Sequence, residues 1–330
     1  MHNLLVGTTS GAFHVRWEQS LADAQVTHLL TEPVIAAATI PGRGVLLAVY
    51  NANTDHTHSR LLWFSAQTGQ ITPASDTVIP SVTSIGVADG QIAIGTHGHK
   101  LYTLDEGVLC EDAGFAAAMG SIQRYESNYG EAISQITHDP RDGSAVIAVS
   151  TGGLWEHSAA GWCVSDHPTY GSYPEEIDNL VLRCVHGVSV GQRGDRLVQF
   201  HRGLKYHDGT QWYDVERPGH KAGFATIYRP AFDDFVAIPL IADEERWAAG
   251  GETAFWIVSP RTKTGRAVRF DAQRDYSCSL RSGMTLSGDV VVAGTTSGRL
   301  FALAGDTVTQ LPHHLGRVLA VAADTTAGGQ

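Results

Sequence analysis

The sequence predicts an all-β fold: a seven-bladed β-propeller of four-stranded antiparallel blades, closed by the C-terminal strand joining the N-terminal blade. Three observations carry this prediction. One stretch occurs twice almost verbatim, as Leu4-Leu5-Val6-Gly7-Thr8-Thr9-Ser10-Gly11-Ala12-Phe13 near the start and as Val291-Val292-Ala293-Gly294-Thr295-Thr296-Ser297-Gly298-Arg299-Leu300-Phe301 near the end. Weaker copies lie between: Leu46-Leu47-Ala48-Val49-Tyr50 before Leu62-Trp63, Ile92-Ala93-Ile94-Gly95-Thr96 before Leu101-Tyr102, and Val146-Ile147-Ala148-Val149-Ser150 before Leu154-Trp155. Arg196-Leu197-Val198-Gln199-Phe200 before Leu204-Lys205-Tyr206, and Trp247-Ala248-Ala249-Gly250-Gly251 before Phe255-Trp256, complete the set. With Gly7, Val49, Gly95, Val149, Gln199, Ala249 and Gly294 taken as equivalent, the intervals run from 42 to 54 residues. The step from Gly294 round to Gly7 is one further period of 43. Repeats of roughly this length, with four short strands apiece, are the propeller signature, because radial repetition leaves few open sheet edges.

Each unit reads as strands A, B, C and D, with A nearest the axis. In the third unit, residues 82–88 are A, 91–96 B, 101–104 C and 108–110 D, with Ala88-Asp89-Gly90 and Asp105-Glu106-Gly107 supplying the Asp and Gly chemistry of tight hairpins. The same A–B punctuation recurs as Pro140-Arg141-Asp142-Gly143 and Leu286-Ser287-Gly288-Asp289. Residues 317–323 form the last strand, which completes the unit that begins at Asn3. Each C strand carries one aromatic: Phe13, Trp63, Tyr102, Trp155, Tyr206, Trp256 and Phe301. Their place on the third strand out assigns them to packing between blades rather than to a ligand. Three D–A connections are long, residues 105–131, 157–178 and 213–234, and long loops in a compact repeat fold mark function or partners. Tyr125 to Glu131, Tyr170 to Asp178 and Tyr228 to Asp234 make them aromatic and acidic.

Composition sets the bounds. The 330 residues read as one propeller domain, with 325–330 as a disordered tail. A net charge of −11 without a basic stripe speaks against nucleic acid. No apolar run is long enough to span a bilayer, and Met1-His2-Asn3-Leu4 runs straight into the first strand without a leader pattern, so neither a membrane nor a secretory location is expected, and a cytoplasmic one is. Cys110, Cys163, Cys184 and Cys278 lack C-x-x-C spacing and read as reduced thiols.

The hydrophobic-Gly-Thr-x-x-Gly-hydrophobic-aromatic units resemble those of the BNR/YVTN-like propellers, a broad superfamily with sialidase-type and sortilin-type members. So does the hairpin Tyr206-His207-Asp208-Gly209-Thr210-Gln211-Trp212, which is similar to a decayed Asp-box. The resemblance implies the architecture over the whole chain. A full Asp-box is absent, and fold alone does not imply a reaction.

The residues that can carry chemistry are histidines. Sixteen occur, and five fall where B turns into C: His56 and His58, His97 and His99, and His201. B–C turns and D–A connections share one face, so these imidazoles, with His313 and His314, are expected to ring one mouth of the channel. In an extended segment, side chains two apart point the same way, so each His-x-His pair can aim two imidazoles at one point. Neutral imidazole suits Zn, Cu or Fe, making a divalent transition metal the expected cofactor, with no nucleotide. Asp55, Glu131 and Glu252 are candidate acids for its shell. A merely polar mouth, or imidazolium binding a phosphate or carboxylate, are the alternatives. His138 and His186 read as late in A strands, facing the other end. Arg124, Arg183, Arg229 and Arg281 fall near A-strand starts, where they can clamp an anionic substrate; ion pairs with Glu126, Asp178, Asp234 and Asp275 explain them equally well.

The expected function is therefore a small-molecule enzyme of hydrolase or lyase type. His56, His58, His97, His99 and His201 hold the metal, Glu131, Tyr129 and Tyr173 serve as catalytic groups, and Asp55, Arg202, Glu252, Tyr170, His313 and His314 contact the substrate. The alternative is a non-catalytic scaffold that docks a protein partner on the same loop-rich face.

Overall fold

The computed structural model describes residues 1–50, 57–121, 132–165, 184–200, 203–215, 224–238, 254–269 and 281–324. Among them the strands form seven antiparallel sheets, each built on a four-stranded path, one carrying a short fifth strand. The first blade holds β1 (His2–Thr8), β2 (Gly11–Trp17) and β3 (Gln25–Leu30). The second holds β4 (Val34–Ile40), β5 (Gly44–Tyr50), β6 (His58–Ser65) and β7 (Gln70–Pro73), with the short β8 (Ile79–Pro80) pairing on β6. The third is β9 (Val82–Ala88), β10 (Gln91–Thr96), β11 (Leu101–Asp105) and β12 (Val108–Glu111). The fourth is β13 (Ala132–His138), β14 (Ala145–Ser150), β15 (Gly153–Ser158) and β16 (Gly161–Val164). The fifth is β17 (Val185–Val190), β18 (Arg196–Phe200), β19 (Gly203–His207) and β20 (Trp212–Val215). The sixth is β21 (Thr226–Arg229), β22 (Asp234–Ala237), β23 (Ala254–Ser259) and β24 (Thr264–Arg269). The seventh is β25 (Met284–Ser287), β26 (Val290–Gly294), β27 (Leu300–Ala304) and β28 (Thr307–Gln310). The last strand, β29 (Val318–Ala323), pairs with β1 from Leu4↔Ala323 to Thr8↔Val318 and becomes the inner strand of the first blade.

The inner strands close a ring: β29 packs on β4, β4 on β9, β9 on β13, β13 on β17, β17 on β21, β21 on β25 and β25 on β29. The chain is a seven-bladed β-propeller. Its core is correspondingly divided into seven apolar clusters, each shared by two adjacent blades. Six of the C-strand aromatics belong to four of these seams besides Phe13, which packs between blades seven and one. Trp63 and Tyr102 pack between blades two and three, Trp155 between three and four, Tyr206 and Trp256 between five and six, and Phe301 between six and seven. Burial of such rings, at ~25 cal/mol per Å² of apolar surface, is what holds one blade to the next.

The repeated Gly-Thr pair has a structural explanation. A Cβ on Gly7 would lie 2.6 Å from Val34, on Gly95 2.5 Å from Ile133 and on Gly294 2.2 Å from Val318. In each case the neighbour belongs to the inner strand of the next blade, so Gly permits the closest approach of two sheets. The Thr that follows is fully buried and bonds within its own turn, Thr8 Oγ1 donating to Gly11 O at 3.0 Å and Thr295 Oγ1 to Arg299 O at 3.3 Å.

Three local expectations are corrected. The B strand of the sixth blade is β22, not the stretch at Trp247 to Gly251, which lies outside the described residues; Tyr228 to Asp234 is consequently an A–B hairpin rather than part of a D–A connection. Charge concealed the strand: Arg229, 1% exposed, is neutralised by Asp234 across the hairpin. Residues 105–131 contain a helix, α1 (Ala113–Gly120), capped by the Asp112 carboxylate accepting from Phe115 N at 2.8 Å. Only Phe115 and Met119, one turn apart, are buried, and a run of Ala between them blurs the period. His186 is the second residue of β17, not a late one, so it lies at the opposite end from that expected.

In a meander the A–B and C–D turns share one end, and at this end polar and charged side chains pair between blades. Asp89 meets His157 at 2.9 Å, Arg196 grips Glu156 with two bonds of 2.5 and 2.8 Å, and Arg193 meets Asp233 at 2.9 Å. Lys263 meets Asp208 at 3.0 Å, and Arg266 meets Asp306 at 2.5 Å. Arg229 adds a bond to Gly305 O at 3.1 Å and lies 4.2 Å from the Phe232 ring centre. Asp208, in the hairpin that resembles an Asp-box, also accepts from Thr210 and Gln211 N, which together hold its carboxyl well below the usual range.

Candidate functional site at the channel mouth

The other end carries the B–C turns and D–A connections, and the described histidines there are held separately. His58 Nδ1 lies 2.8 Å from Thr57 Oγ1 at the start of β6, and His313 and His314 are exposed between β28 and β29. His97 is exposed, whereas His99 is 3% exposed, with Nε2 2.8 Å from Ser150 O. The period-two argument fails for this pair because Gly98 (φ 76) and His99 (φ 58) are left-handed, so the turn is not extended. No group of three or more His, Cys, Asp or Glu side chains converges among the described residues. His56, His201, Asp55, Glu131, Glu252, Arg202, Tyr129, Tyr170 and Tyr173 lie outside the described residues, as do Arg124 and Arg183.

What the fold does gather at this mouth is a different set. Ser282 pairs with Ala320 of β29, which fixes the backbone beside Arg281. From there Arg281 Nε donates to Ser134 Oγ of β13 at 3.3 Å. Blades seven and four stand on opposite sides of the ring, so this contact crosses the channel axis. Ser134 Oγ in turn lies 2.5 Å from Ser150 Oγ at the end of β14. The Arg281 guanidinium is 5.4 Å from the ring centre of Phe224, and Phe224 stacks on His186 with centroids 5.0 Å apart and planes 19° apart. Cys184 Sγ lies 3.2 Å from His186 Nε2 and is hydrogen-bonded by the Thr151 backbone. Thr151 itself is buried at φ 65, a costly conformation for a β-branched residue, and strain of this kind gathers at functional sites.

The electrostatics follow from the surroundings. Burial pushes the Cys184 thiol up, opposed by the Thr151 backbone and by Arg281. Burial also lowers Arg281 below the usual guanidinium range, opposed by Cys184. No carboxylate pairs with Arg281 among the described residues, so the Asp275 pairing considered from sequence lies outside them. The mouth therefore offers a thiol beside an imidazole and a cation beside two hydroxyls, the two sets joined through Phe224. Arg281 was legible in the sequence as an A-strand-start arginine. Cys184 and His186, two apart at the start of β17, carry their only sequence signal in that period-two spacing.

No family model matches the chain, and no curated protein matches its sequence. By fold it is similar to a periplasmic gluconolactonase, PpgL, of Pseudomonas aeruginosa, at 13% identity and TM-score 0.65 over 98% of this chain and 99% of that one. It is also similar to a putative 6-phosphogluconolactonase of Bacteroides fragilis, at 9% identity and TM-score 0.64 over 98% and 97%. AztD of Citrobacter koseri, at 9% identity and TM-score 0.56, covers 98% and 97%. No helix among the described residues is long and apolar enough to cross a membrane. At these identities the likeness establishes the seven-bladed architecture of this chain.

Proposed function

We propose that this propeller is a small-molecule enzyme of hydrolase type, acting at the axial mouth on a substrate that carries or develops a negative charge, such as a sugar-acid lactone. The reading rests on Arg281, a half-buried guanidinium that spans the channel to Ser134 without a carboxylate partner among the described residues. Such a cation gains most from an anion brought by a ligand, since Arg meets carboxylate and phosphate with two parallel bonds. Hydroxyls at Ser134 and Ser150 suit a polyhydroxylated ring, and two proteins of similar fold are named as lactonases.

No donor set for the expected metal converges among the described residues, so a metal enters this proposal only with groups outside them. The test uses protein purified without a His-tag and assayed on gluconolactone and its 6-phosphate against spontaneous ring opening. Turnover by the wild type is expected, with Arg281→Ala lowering kcat/KM at least about tenfold, the scale of one charge-assisted bond. An R281A variant with wild-type kcat/KM sinks the assignment. Chelation followed by addition of Zn decides the metal: activity unchanged by both treatments removes it from the reading.

A further inference from the structure

We propose that Cys184 and His186 form a nucleophile–base pair at this mouth, in which the Cys184 thiol attacks an ester or lactone carbonyl. The inference rests on the reading of this end as a hydrolytic site and adds to it the group that forms the covalent bond. Three observations carry it. Cys184 Sγ is within 3.2 Å of His186 Nε2, the contact that nucleophilic catalysis by a thiol requires. The imidazole is oriented from a third direction, by face-to-face stacking on Phe224. The Thr151 backbone bonds the same sulfur from a strained B–C turn, and the Arg281 guanidinium brings positive charge within 5.4 Å of the Phe224 ring centre.

The chemistry balances with water as the second substrate. The Cys184 S–H proton passes to His186 Nε2 as the sulfur pair bonds to the carbonyl carbon and the carbonyl π pair moves onto oxygen. Collapse of the oxyanion breaks the C–O bond, and the leaving alkoxide takes the proton from His186. Water, deprotonated by His186, then attacks the thioester; the C–S bond breaks, and the sulfur recovers its proton. Burial keeps the resting thiol protonated, so the nucleophile is made in place by His186 rather than held as a standing thiolate. The other thiols in the described residues, Cys110 and Cys163, are exposed on outer strands and lack an imidazole contact of this kind.

The probe is p-nitrophenyl acetate, with intact protein, stopped-flow detection of p-nitrophenol and peptide mapping of the acetyl group. The wild type is expected to release about one equivalent in a burst and to carry acetyl on Cys184. The burst should vanish in Cys184→Ser and Cys184→Ala and slow about 10²-fold in His186→Gln. A C110S/C163S/C278S variant should retain it. In the wild type, prior acetylation should also protect Cys184 from iodoacetamide, a readout that needs no substitution. No burst, acetyl on other cysteines alone, or a His186→Gln burst at the wild-type rate overturns the pair. A burst without lactone turnover leaves the pair standing and removes the substrate class. Lactone turnover unchanged in Cys184→Ser does the reverse.

Discussion

Arg229 and Arg281 flank inner strands of neighbouring blades at opposite ends of the channel, and their surroundings differ in kind. Arg229 is bound on every side: two bonds of 2.6 and 2.7 Å to Asp234, a third to Gly305 O, and the face of Phe232. Arg281 meets a serine hydroxyl at 3.3 Å and an aromatic ring at 5.4 Å. The difference extends to the ends themselves. From blade three to blade seven the A–B and C–D end is zipped by Asp89–His157, Arg196–Glu156, Arg193–Asp233, Lys263–Asp208 and Arg266–Asp306. At the mouth, hydroxyls join the blades, Thr83 and Ser84 both donating to Ile133 O at 2.7 and 2.9 Å, beside a more exposed Arg60–Glu32 pair at 3.5 Å. A repeat fold can thus concentrate its ion pairs at one end and gather titratable and nucleophilic groups at the other.

The largest effect expected from this contrast is on stability. Arg229→Ala leaves Asp234 buried without its counter-charge and should cost about 3–5 kcal/mol in denaturant unfolding, the range for breaking a buried pair from one side. Arg281→Ala should change stability by under ~1 kcal/mol while lowering kcat/KM at least about tenfold. Equal losses in the two variants would erase the distinction between the ends.

Packing at the mouth end gives the next effect. Gly95→Ala places a methyl 2.5 Å from Ile133 and should destabilise by about 1–3 kcal/mol, whereas Gly90→Ala, with nothing within 4 Å, tests only its positive φ of 71. A Gly95→Ala protein as stable as the wild type would mean that the repeated Gly does not set the distance between blades.

The smallest effect is in acid. Asp139 is held below the usual carboxylate range, first by the Arg141 guanidinium at 2.6 Å and with help from Arg196. A depressed folded pKa means that the unfolded chain binds the proton more readily. The stabilisation is therefore complete above about pH 5 and drains away as the pH falls through the unfolded value near 4 toward the folded one. Asp139→Asn should lower the melting temperature at pH 7 and flatten its decline between about pH 5 and 2. A parallel decline in both proteins would show that Arg141 and Arg196 leave this carboxyl unperturbed.

The contrast also marks where sequence reading stopped. The Gly-Thr units and their even spacing specify blade number, strand order and the closing strand, because each unit repeats the same local need: two hairpins and a glycine for the neighbouring inner strand. Third-blade strands fall at the predicted residues, with only the C and D ends one residue longer. In blade six the structure departs from the expected strand because a buried ion pair replaces the apolar run, and an arginine at a strand end resembles loop until Asp234 is placed beside it. The described histidines were expected to act together, yet two left-handed residues at Gly98 and His99 send adjacent rings in different directions. Sequence period holds only while the backbone stays extended.

By itself, then, the chain's periodicity determined a closed ring of seven sheets with the aromatics of the C strands in its seams. Only the tertiary structure decided that Arg281 reaches Ser134, 147 residues away, and that Cys184, His186 and Phe224 join them. Blade formation depends on short-range pattern, which a sequence displays directly. A site across the axis depends on which unrelated side chains the completed ring turns toward one another, and no repeat encodes that.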